Sequence, residues 1–311
     1  MNKLLSNTLL NKEIDNIKAS GQCHHAYLLI GDAGSGKKTA ARLLAYAAID
    51  KSPPANQNAA HPDIKYIAPQ AGKRSISVEA IRAQRADSML PPSVSPRKVY
   101  IIDSAQTLSE DCQNALLTIL EQPPRYAVFI LLSTARGALL PTVRSRCREY
   151  AMQPVPALKI EQFLSALKLF EPAKIKAAAL ASGGNIGLAQ SILKDQSFHQ
   201  GLKYSLTVFR LIAAKKRYEL LKLITLMDKD ALKNFLRIFV LFSRDIIVAK
   251  EANAAKTLLF EKTVLKNAQL FDKIEIGRLF EYVNAAKSAA SMLDRYINPG
   301  LVSARFAAQL I

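Results

Sequence analysis

Ala26-Tyr27-Leu28-Leu29-Ile30, then Gly31-Asp32-Ala33-Gly34-Ser35-Gly36-Lys37-Lys38-Thr39, then Ala40-Ala41-Arg42-Leu43-Leu44-Ala45: this stretch decides the fold. Its first run is short and apolar, its middle is rich in glycine, and its last part is rich in Ala and Leu, which predicts a strand, a loop and a helix in that order. Glycines let consecutive backbone N–H groups curl around a phosphate, and the start of the helix adds partial positive charge. Lys37 has the length to reach the β and γ oxygens of a nucleotide. Gly31, Gly34, Ser35, Gly36 and Lys37 are therefore the candidate phosphate cradle, with Thr39 as a further candidate on the helix.

Outward from this stretch, Val99-Tyr100-Ile101-Ile102 and Ala127-Val128-Phe129-Ile130-Leu131-Leu132 are also almost wholly apolar, and Ile64-Lys65-Tyr66-Ile67 follows the turn signal His61-Pro62-Asp63. Continuous apolar runs bounded by turn residues or charge read as strands buried on both faces, the habit of a parallel sheet covered by helices. Residues 51–58, from Lys51 through Pro53 and Pro54 to Asn58, read as a surface loop. After Pro172 no proline occurs until Pro299, and Ala, Leu, Lys and Ile dominate, so this half is mostly helical. Leu232, Phe235, Leu236, Phe239 and Val240 fall on one helical stripe. Gly183-Gly184-Asn185 and a break at Gln200-Gly201 divide it into a small helical unit over 155–198 and a larger bundle beyond.

The cradle departs from the pattern G-x-x-x-x-G-K-[ST] at one position. A hydroxyl after the lysine ligates Mg²⁺, and here that slot is Lys38. Thr39 comes one residue late, and a helix turns about 100° per residue, so it cannot simply substitute. The second element such a site needs is an acidic strand end, and Asp103 after Val99-Tyr100-Ile101-Ile102 supplies it. The next slot, where a glutamate would polarise the attacking water, is Ser104. A serine hydroxyl keeps its proton at neutral pH and cannot serve as the base.

The run from Tyr100 to Arg148 carries Asp103-Ser104-Ala105-Gln106-Thr107-Leu108-Ser109, then Asn114-Ala115-Leu116-Leu117-Thr118-Ile119-Leu120-Glu121-Gln122-Pro123-Pro124, then Leu140-Pro141-Thr142-Val143-Arg144-Ser145-Arg146-Cys147. With the opening His25-Ala26-Tyr27-Leu28-Leu29-Ile30-Gly31, it resembles the clamp-loader branch of the AAA+ ATPases. The resemblance implies an α/β plus all-α chain: an AAA+ P-loop parallel-sheet domain over 1–154, a helical lid over 155–198 and a helical oligomerisation collar over 199–311. It implies a catalytically degenerate subunit of the bacterial DNA polymerase III clamp loader, working in DNA replication. Its partners would be ATPase motor subunits and a clamp-opening subunit, with primer-template DNA and, indirectly, the sliding clamp. It implies that Arg146 is a finger presented to ATP on a neighbouring subunit, where a guanidinium can neutralise charge on a transferring phosphoryl group. ATP or ADP with Mg²⁺ is the implied ligand, weakly held or not hydrolysed. Ser133 and Thr134 match the polar sensor position, Leu188 stands where active relatives place an arginine, and Asn298-Pro299-Gly300-Leu301-Val302 opens a closing helix. Residues 46–63 contain no cysteine, so the zinc module of many relatives is not expected.

Composition fits this frame. The chain has 311 residues, 50% hydrophobic, with 43 basic and 25 acidic side chains and a formal charge of +18. The excess is spread over both halves, which suits phosphate-bearing partners but equally serves solubility. Cys23, Cys112 and Cys147 are far apart and form neither a disulfide framework nor a zinc knuckle, so they read as reduced thiols. His24 and His25 read as structural. Asn11, Lys12, Glu13 and Asp15 interrupt any signal-peptide apolar region, and no run approaches a membrane span, so the expected location is the cytoplasm. Two other readings stay open: a working clamp-loader-type ATPase using Thr39 and Asp103, and a free-standing DNA-binding protein driven by charge.

Overall fold

Five strands, β1 (Ala26–Ile30), β2 (Ile64–Ile67), β3 (Lys98–Ile102), β4 (Ala127–Ser133) and β5 (Arg148–Ala151), form one sheet in the order β2-β3-β4-β1-β5. Every pairing is parallel. The computed structural model describes residues 3–49, 60–70, 73, 75–194, 196–252, 258–294 and 297–311. The expected loop over 51–58 lies outside them. Two compact units are found, Met1–Lys159 with Gly184–Gly187, and Ile160–Gly183 with Leu188–Ile311.

In the first unit, β1, β3 and β4 are buried almost throughout, as apolar runs in a covered parallel sheet must be. Their alternate residues serve two cores. Tyr27, Leu29, Val99, Ile101, Val128, Ile130 and Leu132 pack with α1 (Thr8–Ser20) and α2 (Lys37–Ala48). Ala26, Leu28, Tyr100, Ile102, Phe129 and Leu131 pack on the other face with α3 (Val78–Ser88) and α4 (Glu110–Glu121), where the Tyr100 and Phe129 rings stack 5.0 Å apart. Each such side chain taken from water stabilises the fold by about 1.5–3 kcal/mol. Ser77 and Ser109 cap α3 and α4, and Gly21 closes α1 in the left-handed conformation at φ 67°. The edge strands are polar: Lys65 and Tyr66 of β2 are exposed, and β5 is only half covered. The sequence reading stops at four strands because Arg148-Glu149-Tyr150-Ala151 carries no apolar run. Its register against β1, Tyr27 to Arg148 through Ile30 to Ala151, makes it a strand all the same.

The second unit is all helix. It holds α6 (Ala157–Ala166) from Ile160 onward, then α7 (Pro172–Ala181), most of α8 (Ile186–Lys194), α9 (Gln196–Ala213), α10 (Arg217–Thr225), α11 (Lys229–Ala252), α12 (Glu261–Lys266), α13 (Ala268–Asp272), α14 (Ile276–Asp294) and α15 (Pro299–Leu310). The short α5 (Pro141–Arg144) belongs to the first unit. Of the expected stripe on α11, Leu232, Phe235, Leu236 and Phe239 are buried and Val240 is half-buried; Phe239 meets Phe209 of α9 and, with Phe235, Phe306 of α15. Phe209 and Phe239 stack at 5.1 Å. The expected break at Gln200-Gly201 does not occur, and α9 runs straight through it. Gly201 is there for packing: a Cβ would lie 2.3 Å from Ile238 Cδ1 on α11. Asn298 caps α15 through the Gly300 N–H, with Pro299 in the first turn.

Candidate functional site

The end of β1 leads directly into the glycine loop. The Gly31 N–H bonds the Ser133 carbonyl at 3.1 Å, tying the loop to the end of β4, and the Ser35 N–H bonds the Asp32 carbonyl at 3.1 Å. Gly34 and Gly36 adopt φ of 82° and 91°, conformations that L side chains disfavour. Gly34 is doubly constrained, since a Cβ would meet Asn185 Oδ1 at 2.6 Å. The segment Gly184–Gly187 straps the loop from outside: the Asn185 amide donates to Ala33 O at 2.8 Å and the Gly187 N–H to Gly34 O at 3.0 Å. These bonds engage carbonyls, while the first N–H groups of α2 have no partner within the helix. Ser35 Oγ is buried with no hydrogen-bond partner, the kind of group that a bound phosphate satisfies. The cradle fits a nucleotide phosphate.

Lys37 arcs over this loop, donating to the carbonyls of Gly31 and, at 2.8 Å, Asp32. Burial pulls its pKa down, against the opposing charges of Asp103 and Asp32. Lys38 turns the other way, and its ammonium lies 2.8 Å from Asp103 Oδ2. Tyr66 OH donates to the same oxygen at 2.7 Å, and the Ser104 N–H donates to Oδ1 at 2.8 Å. Burial alone would raise the Asp103 pKa, but the bonds from Lys38 and Tyr66, the Lys38 charge and the Ser104 N–H together hold it below the usual carboxylate range. The same carboxylate raises the pKa of Lys38.

This donor set does not fit Mg²⁺. A hard divalent ion takes oxygen ligands, and here both carboxylate oxygens are engaged and an ammonium stands beside them. Lys38 is largely exposed, so swinging it into solvent costs about 1 kcal/mol or less. That still leaves the ion one carboxylate and no hydroxyl. Thr39 is exposed on α2 and makes no hydrogen bond to Asp103. Ser104 sits in the left-handed region at φ 56°. Ser133 Oγ donates to the Ala135 carbonyl at 2.8 Å and accepts the Ala135 N–H, so its hydroxyl serves its own turn, and the Thr134 N–H bonds Gln106. Leu188 packs with the helical core of the second unit. Among the described residues no group of three or more His, Cys, Asp or Glu could hold a metal ion.

Arg146 follows α5 and precedes β5. Its guanidinium donates to the Thr142 carbonyl at 2.9 Å and pairs with Glu121, the last residue of α4, at 2.8 Å. The neighbouring arginines are engaged differently: Arg144 and Arg136 both bind Glu149, at 3.0 and 2.7 Å, and Arg148 binds Glu13 at 3.0 Å. Those arginines fasten the sheet edge through carboxylates that are largely covered, Glu149 and Glu13, whereas Glu121, which holds the one-third-exposed Arg146, is itself half exposed. Burial, then His24, lowers the pKa of His25, whose Nε2 is buried without a hydrogen-bond partner. Burial pushes the adjoining Cys147 thiol up to about 12, with help from Glu149. Sequence reasoning singles out Arg146, Asp103 and the loop but does not assign Tyr66 and Glu121 as their partners. Glu121 stood in a quoted motif, yet nothing in the sequence pairs it with an arginine 25 positions on.

A parallel sheet with the glycine loop after β1 and an aspartate ending β3 is the AAA+ P-loop arrangement. A family model described as DNA polymerase III, delta subunit, matches residues 6–156. This chain belongs to the DNA polymerase III clamp-loader family. The clamp-loader relatives include DNA polymerase III subunit gamma of Buchnera aphidicola subsp. Acyrthosiphon pisum, 30% identical over 72% of this chain and 66% of its own. Subunit delta' of Pseudomonas aeruginosa is 30% identical over 57% of each chain. A solved gamma-subunit-related protein of Thermotoga maritima is 19% identical over 95% of this chain and 97% of its own, with a TM-score of 0.45. The chain spans between about a quarter and two thirds of the length of the curated clamp-loader relatives it matches.

Proposed function

We propose that this chain is a DNA polymerase III clamp-loader subunit of the delta' kind, which hydrolyses no ATP of its own and lends Arg146 to nucleotide held by a neighbouring subunit. One observation carries the reading: Asp103 is tied up by Lys38 and Tyr66 beside a serine in the base slot, while Arg146 keeps a partly exposed guanidinium. The machinery for in-house phosphoryl transfer is missing, and the group that serves another subunit's reaction is present. In the assembled loader, Arg146 exchanges Glu121 for the γ-phosphate of its neighbour, and the helical unit supplies the assembly surface. The partners are then the ATPase and clamp-opening subunits, which place the sliding clamp on primed DNA. The +18 charge suits that last partner.

The test compares phosphate release by the isolated chain with that of the reconstituted loader, before and after Arg146→Ala. The isolated chain releases none, and the substitution lowers turnover of the complex by about a thousandfold. Robust turnover by the isolated chain would favour a working ATPase built on Thr39 and Asp103. A complex indifferent to the substitution would overturn the finger.

A further inference from the structure

We propose that the glycine loop takes a nucleotide without a divalent cation, Lys38 standing in the metal's place as a tethered single charge, and that a nucleoside diphosphate binds as well as the triphosphate. This goes beyond the reading above, which concerns nucleotide on a neighbouring subunit, and starts from the fit of this chain's own cradle to a phosphate. Three observations combine. The loop keeps its shape, with Gly34 and Gly36 at positive φ, the strap from Asn185 and Gly187 in place, and Ser35 Oγ unpartnered. The acidic side chain that would face a metal is bonded at both oxygens, to Lys38, Tyr66 and Ser104. Lys38 is further held over the Tyr66 ring, 5.7 Å from its centre.

Lys37 and Lys38 face the carboxylates of Asp103 and Asp32, so the charges beside the cradle balance and an anion is met there by directed N–H donors. The β-phosphate can be met by the loop N–H groups and by Lys37, as in any such cradle. Lys37 reaches β and γ oxygens alike, and among the described residues the positions that would tell a γ-phosphate apart are otherwise engaged or apolar: Asp103 is bonded to Lys38, Tyr66 and Ser104, Ser133 is occupied in its own turn, and the position after Gly187 is Leu188. Discrimination between the two nucleotides is a difference of affinities, and here the differing phosphate has no dedicated partner.

The experiment uses the full chain and titrates mant-ADP and mant-ATP in excess EDTA and in excess Mg²⁺, with Mn²⁺ paramagnetic resonance as a second readout. The four affinities agree within about twofold, and Mn²⁺ stays free in the presence of ADP. Lys38→Thr supplies the missing hydroxyl, so its affinity falls about tenfold on adding EDTA and its Mn²⁺ signal changes when ADP is added. Lys38→Arg keeps a tethered cation and remains indifferent to the metal, which separates loss of charge from general damage to the loop. The proposal is overturned if the native chain loses tenfold in EDTA, binds Mn²⁺ with nucleotide, prefers ATP tenfold, or binds neither nucleotide. Any of those results leaves the Arg146 assay standing.

Discussion

Arg146 is held by a carboxylate that is itself half exposed, so opening the pair takes little. Glu121→Gln is expected to change the unfolding free energy by less than about 1 kcal/mol in urea denaturation, because exposed ion pairs contribute little. Gly34 lies at the other extreme. An alanine there would combine a positive φ of 82° with a Cβ 2.6 Å from Asn185 Oδ1, and Gly34→Ala is expected to cost about 2 kcal/mol or more by the same measurement. At this scale the sequence is readable where a slot is local. Lys38 follows Lys37, and Ser104 follows Asp103, so each departure is visible beside the residue that defines it. Their partners are not readable: Tyr66 comes to Asp103 from the neighbouring strand, across 37 positions, and only the fold makes them neighbours.

Elements followed the same logic. Apolar runs gave β1, β3 and β4 close to their observed limits, while β5 stayed hidden because an edge strand with one half-covered face needs no apolar run. Gly201 has the composition of a helix break, yet it lies inside α9, where a Cβ would stand 2.3 Å from Ile238 Cδ1 of α11. Helix propensity favours alanine over glycine by about 1 kcal/mol, and overpacking a core costs about 1–3 kcal/mol. Gly201→Ala alone is therefore expected to destabilise. Ile238→Val removes the obstructing Cδ1, so adding Gly201→Ala to that variant should leave it no less stable than Ile238→Val by itself. Additive losses in a double-mutant cycle would show that the contact does not account for the glycine.

Across the whole molecule, two units with separate cores are expected to lose structure in transitions that need not coincide. Asp245 identifies the helical one. Burial raises its pKa from 3.8 to about 6, against the N–H groups of Phe260 and Leu259 and the charge of Arg244, and its Oδ2 accepts from the Phe260 N–H at 2.7 Å. The folded state thus prefers the proton. The stabilisation is complete below the unfolded pKa and is lost as pH rises through about 6. Asp245→Asn keeps an acceptor for Phe260 and removes the ionisation. It should raise the stability of the helical unit by about 3 kcal/mol near pH 8, with the gain shrinking toward about pH 4, and leave the other transition in place.

The backbone passes between the two units three times, after Lys159, Gly183 and Gly187. Domain dissection is consequently not a matter of one cut. A recombinant fragment stopping at Lys159 would retain all five strands and the glycine loop, yet it would lack the Asn185 and Gly187 clasps on Ala33 and Gly34. Ligand affinities from such a truncation would describe a slacker cradle than the intact polypeptide possesses, and a single protease nick near Lys159 would not set either half free.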